Sequence, residues 1–338
     1  MFLRFISSAA IIACLSLPAV AQTAPCSSME VPVGIVNGNG ESFHGLSAEE
    51  FSGRAGKASV TIKGMSFDSG PRRIVLVVDT GKKLSRETRQ AEQTLVQTIL
   101  NAARPQDSFA MVTARGPQQV VKFGEEHSAF IEALPEDTEA KHAKEQGVLD
   151  AVIQGINLFG EPKPGDSLVV IAADLGGNRT TNAKKIATAL EEHHIRMFGL
   201  ALGRVSTKNV AVSGQTTTAW GLAQSQSCVG DFIYDTGDED FYPLTRDSGG
   251  LVLSVMNYDP RMTYSMKDPK FQARIKQQSL VLYNMIAGYY RVELETARDG
   301  EWNFEPSAEV RKAVPNMFLL YPHKLTGCSA SAHVASKE

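Results

Sequence analysis

Cysteine is scarce in this chain of 338 residues, with four in all: Cys14, Cys26, Cys228 and Cys328. They form no C-x-x-C pair and no Cys/His spacing of the kind that holds zinc. Neither sign of charge dominates: 34 Lys and Arg face 37 Asp and Glu, a formal net charge of −3. That balance excludes the broad basic surface required by nucleic acid or an anionic membrane. The pairs Arg72-Arg73, Lys82-Lys83 and Lys184-Lys185 are too short to supply one and read as solvated positions. Nucleotide loops are missing too, since neither G-x-x-x-x-G-K-[ST] nor G-x-G-x-x-G occurs. "LGGNRTT" (175–181) is therefore a glycine-rich turn before a helix, capped by Thr180 or Thr181. No G-x-S-x-G elbow is present, and position assigns no Ser, His and Asp to a triad. Tryptophan occurs twice, at Trp220 and Trp302.

What is present begins with "MFLRFISSAAIIACLSLPAVAQ". One arginine, an apolar core and the small-residue end Ala19-Val20-Ala21 make residues 1–21 a secretory signal with cleavage before Gln22. Its core is too short for a membrane span. A rival reading takes "IIAC" (Ile11 to Cys14) as a lipoprotein box. Loss of the signal leaves three cysteines in an export route that permits disulfides. A Cys26–Cys328 bridge would staple the two ends of the mature chain, and a pairing through Cys228 is equally open.

Residues 22–70 form a β-rich preface, with strands over Val31–Val36 and Ala58–Ile62 and a turn between Asn37 and Gly40. From residue 71 to 258 strands and helices alternate. Strands are expected at Ile74–Asp79, Phe109–Ala114, Gln119–Phe123, Ser167–Ala173, Arg196–Leu202 and Leu251–Met256. Helices are expected at Arg86–Ala103, Gln146–Phe159 and Asn182–His193. Nearly unbroken apolar strands between helices predict an α/β fold: a doubly wound, mainly parallel sheet covered on both faces. The second and third strands, joined by "RGPQ", would form an antiparallel edge hairpin. Residues 259–326 add a helix over Pro269–Ala287 and a β-hairpin of "YYRVELET" and "NMFLLYP" around "RDGEW". Residues 327–338 read as a flexible tail.

In a doubly wound sheet the loops leaving the strands' carboxyl ends gather at one edge. Asp79 and Asp174 each end an apolar strand, "IVLVVD" and "LVVIAAD". Two carboxylates converging there suit a hard cation with oxygen ligands, magnesium or calcium. Other signals are weaker. "YDTGDEDFY" (234–242) lacks the ligand spacing of a calcium loop and reads as a solvated acidic loop. The adjacent His193 and His194 face different directions and suit a helix carboxyl end.

The strand ending at Asp79, the helix, the hairpin, "GVLDAV" (147–152) and the strand ending at Asp174 together resemble a von Willebrand factor type A domain. "GESFHGLSAEEF" (40–51), "RDSGGLVL" (246–253) and "VLYNMIAGYYRVELE" (281–295) are similar to flanking segments of exported bacterial, acidobacterial-type relatives. The resemblance implies a six-stranded Rossmann-like core that binds protein or matrix ligands, often through a divalent cation at the strand tops. Its ligands are D-x-S-x-S after the first strand, a threonine before a later helix and a second aspartate. Here Asp79 and Asp174 match the two aspartates, but the serines fall on Gly81 and Lys83, and the threonine falls at Gln146.

Lys83 decides the expectation. At about 4 Å and an effective dielectric near 20, a pair of unit charges interacts by roughly 4 kcal/mol, and a divalent ion doubles that repulsion. The resemblance with these losses implies a degenerate, metal-free site in which Lys83 neutralises Asp79 and Asp174. The plainer reading has Asp79 capping a strand-to-helix turn. The expected binding face comprises Asp79, Lys83, Gln146, Asp174, Arg179 and Trp220. Its expected partner is a protein or cell-envelope ligand in the periplasm or medium, without nucleic acid and without a transmembrane span. Cation-dependent binding through Asp79 and Asp174 is the alternative. A hydrolase using that carboxylate pair is the third reading, disfavoured because a lysine between them would keep both ionised.

Overall fold

The computed structural model describes residues 29–81, 84–114, 118–134, 147–172, 183–202, 210–212, 215–217, 241–255, 265–295, 300–313 and 317–326. In chain order the elements are β1 (Met29–Val36), β2 (Gly53–Ala55), β3 (Ala58–Asp68), β4 (Arg73–Asp79), α1 (Arg86–Ala102), β5 (Ser108–Ala114), β6 (Val120–Val121) and α2 (His127–Glu132). Next come α3 (Val148–Leu158), β7 (Ser167–Ala172), α4 (Ala183–Glu192), β8 (Arg196–Ala201), the short ribbon β9 (Val210–Val212) and β10 (Gln215–Thr217), and α5 (Phe241–Asp247). The chain continues through β11 (Val252–Ser254), α6 (Pro269–Ala287), β12 (Tyr289–Glu295), β13 (Glu301–Pro306), α7 (Ala308–Ala313), β14 (Phe318–Leu320) and β15 (Lys324–Thr326).

Strand β4 shows how the first sheet forms. Every side chain from Ile74 to Val78 is fully buried. Ile74, Leu76 and Val78 face a core that includes Leu95 and Ile99 of α1. Val75 and Val77 face the opposite core, with Val152 and Ile156 of α3. An unbroken apolar run is what a parallel strand covered on both faces requires. The sheet has six strands in the order β11-β8-β7-β4-β5-β6. Its pairings are parallel except that of β5 with β6, where Met111 lies opposite Val121. The expected α/β layering and the antiparallel edge hairpin are therefore both present.

Helix α1 starts where Ser85 accepts the Thr88 N–H on its side chain at 3.1 Å, with Glu87 in the first turn against the positive helix end. Helix α6 opens with Asp268 accepting the Lys270 N–H at 2.9 Å, followed by Pro269. Phe271, Ile275, Leu282 and Met285 bury its apolar face in the same core as α1.

The flanking segments differ from the expectation. The N-terminal strands and the C-terminal segment are parts of one seven-stranded antiparallel sheet, β14-β1-β12-β3-β2-β13-β15. The expected hairpin around "RDGEW" does not form. β12 pairs with β1 on one side and β3 on the other, while β13 pairs with β2 and β15. Long-range pairing fills both edges of β12 and overrides the local turn signal. Its partner along seven residues, β3, accordingly runs on to Asp68. This sheet has its own core, including Val31, Val33, Val292, Trp302, Phe304 and Tyr321.

The two sheets meet at the amino-terminal edge of the parallel one. Arg72, immediately before β4, and Arg196, the first residue of β8, are each 1% exposed. Both guanidinium groups lie over the Tyr289 ring, at 4.6 and 4.4 Å from its centre. Both also donate to Ile286 O in the last turn of α6, at 3.3 Å from Arg72 Nε and 2.9 Å from Arg196 Nη2. That turn contains no basic residue of its own. The negative helix end is thus met by cations from two strands of the other layer.

Candidate functional site

The chain leaves β4 for β5 on one side, then returns to β7 on the other, so strand order reverses at β4. The carboxyl end of a strand at such a switch point is where open α/β sheets bind ligands. Asp79 occupies that end, 2% exposed and paired in register with Ala114 of β5. The residues after it hold it in a defined turn. Asp79 Oδ1 accepts the Gly81 N–H at 3.0 Å, and Gly81 O accepts the Leu84 N–H at 3.0 Å. Thr80 donates both its N–H and its hydroxyl to Ala114 O, at 2.7 and 3.0 Å. Ser85 then starts α1. The aspartate therefore does act as a turn-capping acceptor, and Thr80 fastens that turn to the neighbouring strand.

Of the residues expected on the binding face, Asp79 alone is described. Lys83, Gln146, Asp174, Arg179 and Trp220 lie outside the described residues, as do Cys26, Cys228 and Cys328. Helix α3 takes Gly147 as its N-cap and starts at Val148, later than the expected start at Gln146.

Three polar residues at this edge carry roles that the sequence reading did not assign. Thr80 and Thr113 are 3% and 0% exposed. Thr113 Oγ1 accepts the Gln119 N–H at 2.7 Å and so closes the β5–β6 hairpin. Arg89, in the first turn of α1, is 8% exposed. Its Nη2 reaches Leu84 O at 3.5 Å, while Nε and Nη1 meet no hydrogen-bond partner among the described residues. A signal for it exists in the sequence: Arg89 shares the α1 face of Val96 and Leu100, where a cation is out of pattern.

A hard divalent cation needs six or more oxygen ligands. The described part of this loop does not provide them. Gly81 has no side-chain oxygen, Ser85 Oγ already accepts the Thr88 N–H, and the Thr80 hydroxyl donates to Ala114 O. Among the described residues no cluster of three His, Cys, Asp or Glu could hold a metal ion. Asp79 is the one expected cation ligand among the described residues, and Gln146 and Asp174 lie outside them.

No protein-family model matches the chain, and no curated protein matches it. Solved structures similar to it include the conserved hypothetical protein BatB from Bacteroides thetaiotaomicron. It is 14% identical over 54% of this chain and 89% of that one, with a TM-score of 0.37. An aerotolerance-related membrane protein from Bacteroides fragilis is 12% identical over 62% of this chain and 98% of that one, with a TM-score of 0.39. A von Willebrand factor type A protein from Catenulispora acidiphila is 11% identical over 54% of this chain and 42% of that one, with a TM-score of 0.32. The architecture of this chain rests on its own strand order and register rather than on these likenesses.

Proposed function

We propose that this chain is an exported, non-enzymatic binding module of the von Willebrand factor type A kind. It holds a protein or cell-envelope ligand on the loop edge around Asp79, without a metal ion. The observation that carries the reading is a buried aspartate ending the central strand at the switch point of a six-stranded sheet. The order of motifs in the sequence and the signal-like first 21 residues support it further. Among the described residues no helix is long and apolar enough to cross a membrane. On this reading Lys83 stands in for the cation and balances Asp79 and Asp174. Arg179 and Trp220 add contacts from neighbouring loops, and a Cys26–Cys328 bridge ties the ends of the mature chain.

The test is a melting series on mature protein with millimolar magnesium, manganese or calcium. Wild type shows no shift, whereas Lys83→Ser acquires a cation-dependent rise. A rise of several degrees in wild type that disappears in Asp79→Ala overturns the metal-free reading in favour of cation-dependent binding. Turnover in an esterase and phosphatase panel that is lost in Asp174→Asn overturns the non-enzymatic one.

A further inference from the structure

A cavity lies away from Asp79, on the far side of α4. It is a cleft of about 460 Å³ between the antiparallel sheet and the helices α4 and α5. Met29, Glu30 and Pro32 of β1 line it together with Lys324, Leu325 and Thr326 of β15. β15 ends the seven-stranded order, and β1 stands next to its other end, pairing with the end strand β14 only from Gly34 onward. The sheet therefore curls until its two end regions share one cleft. The cleft continues along α4 as a second hollow of about 330 Å³, lined by Ala187, Pro243 and Leu244.

Two observations say what fits there. The first is an open backbone edge. β15 pairs only with β13, and the Met29–Val33 part of β1 pairs only with β12, so both strands present unpaired edges among the described residues. An open edge is a template for an added strand. Pro32 deprives β1 of one N–H, which leaves β15 as the edge with its full set of donors and acceptors. The second observation is charge. Glu191 and Glu192 are exposed at the cleft and make no ion pair among the described residues. Lys324, the kind of edge lysine that repels strand addition, is drawn aside by Glu301 at 3.3 Å and Asp247 at 3.8 Å. The cleft is thus net negative, with its one strand-edge cation already engaged.

We propose that this cleft takes an extended, basic peptide segment of a partner protein, added as an eighth strand along β15. Its main chain pairs with the Lys324–Thr326 edge, and alternate basic side chains meet Glu191 and Glu192. This site is separate from the Asp79 edge, so either can fail without the other.

The test is fluorescence anisotropy of a labelled eight-residue peptide of alternating Lys and Thr, titrated with the mature protein. Saturable binding is expected. N-methylation of alternate peptide nitrogens should abolish it, and the pair Glu191→Gln with Glu192→Gln, both surface changes, should weaken it at least tenfold. Undiminished binding of the N-methylated peptide overturns strand addition. Equal binding of an alternating Glu and Thr peptide overturns the charge argument. No binding at millimolar protein, or sedimentation showing a second copy seated in the cleft, overturns the proposal outright.

Discussion

Arg72 and Arg196 look alike in the fold, yet their removal should have very different consequences. Arg72 is paired: its Nη1 and Nη2 each lie 3.1 Å from Asp68 Oδ1, and Nη2 also donates to Asp68 O at 2.6 Å. Replacing it with Met strips Asp68 of its cation and leaves the carboxylate with the Gly70 N–H and the Tyr289 hydroxyl as donors at this junction. Breaking a buried pair from one side costs about 3–5 kcal/mol, because the partner charge stays behind. Among the described residues Arg196 has no carboxylate in hydrogen-bond reach, and its Nε has no partner. Burial above all lowers its pKa from the ordinary guanidinium value to about 10; Tyr289 pulls the other way, with smaller effects of Arg72 downward and Asp68 upward. That displacement amounts to roughly 3 kcal/mol against the charged form. Returns of similar size come from a charge-assisted bond to Ile286 O, about 2 kcal/mol, and the Tyr289 ring, about 1 kcal/mol. Arg196→Met should therefore lie within about 1 kcal/mol of wild type, since Ile286 O keeps the Arg72 Nε donor. Urea unfolding at pH 7 on both variants measures the contrast. Equal large losses would refute the reasoning, because they would make the unpaired cation at 196 a net stabiliser.

Three more outcomes are expected from the same interior. Burial raises the Tyr289 hydroxyl to about 12, more than the nearby Arg196 and Arg72 lower it. The folded chain then keeps that proton when the unfolded chain has lost it. Wild type should lose roughly 2 kcal/mol more than Tyr289→Phe as pH rises from 10 to 12, read from urea midpoints. Burial works to raise Asp107, but the Arg104 guanidinium, the Tyr283 hydroxyl and the Arg72 N–H outweigh it and hold the carboxyl below its ordinary range. Its contribution is present above the ordinary carboxylate range and lost as pH falls below it, so Asp107→Asn should flatten the acid limb of a stability profile run from pH 6 to 2. At Gly250 an added Cβ would sit 1.8 Å from Met197 O, at the entry to β11. Gly250→Ala should cost about 1–3 kcal/mol by forcing β11 off β8, visible as a lower melting temperature.

Much of the α/β unit was legible because its signals are local. The apolar run from Ile74 to Val78 between Arg73 and Asp79 marks a strand buried on both faces, and Asp268-Pro269 marks the start of α6. The antiparallel sheet was not legible, because its pairing is not local. β12 reads as half of a hairpin with "NMFLLYP", yet its neighbours are β1 and β3 from the far end of the chain, and Phe318–Leu320 of that segment pair with β1. Nothing in "RDGEW" records that competition. At the candidate site the strand-ending Asp79 was readable as a residue type at a strand end. The commitment of Thr80 and Thr113 to backbone groups was not, since each depends on a neighbouring strand or hairpin fixed only in three dimensions.

The two edges of the parallel sheet divide their chemistry in a way that bears on where a ligand can act. At the amino-terminal edge, guanidinium groups bind the carbonyls of the connecting segments. Arg73 takes Phe159 O and Glu161 O, both at 2.7 Å; Arg104 takes Ser69 O at 2.6 Å and Gly70 O at 2.8 Å; Arg72 and Arg196 take Ile286 O. Each contact uses a rigid, multi-donor group to satisfy irregular backbone, which fixes the connections that join the two sheets. At the opposite edge, among the described residues, the Thr80 hydroxyl and the Asp79 carboxylate fasten the first residues beyond β4. Ligand contacts made there can therefore vary in sequence and length without disturbing the junction, while a change at Arg72 reaches the whole fold. The guanidinium contacts at the clamped edge lack that freedom, so a partner on that side must use surface outside them.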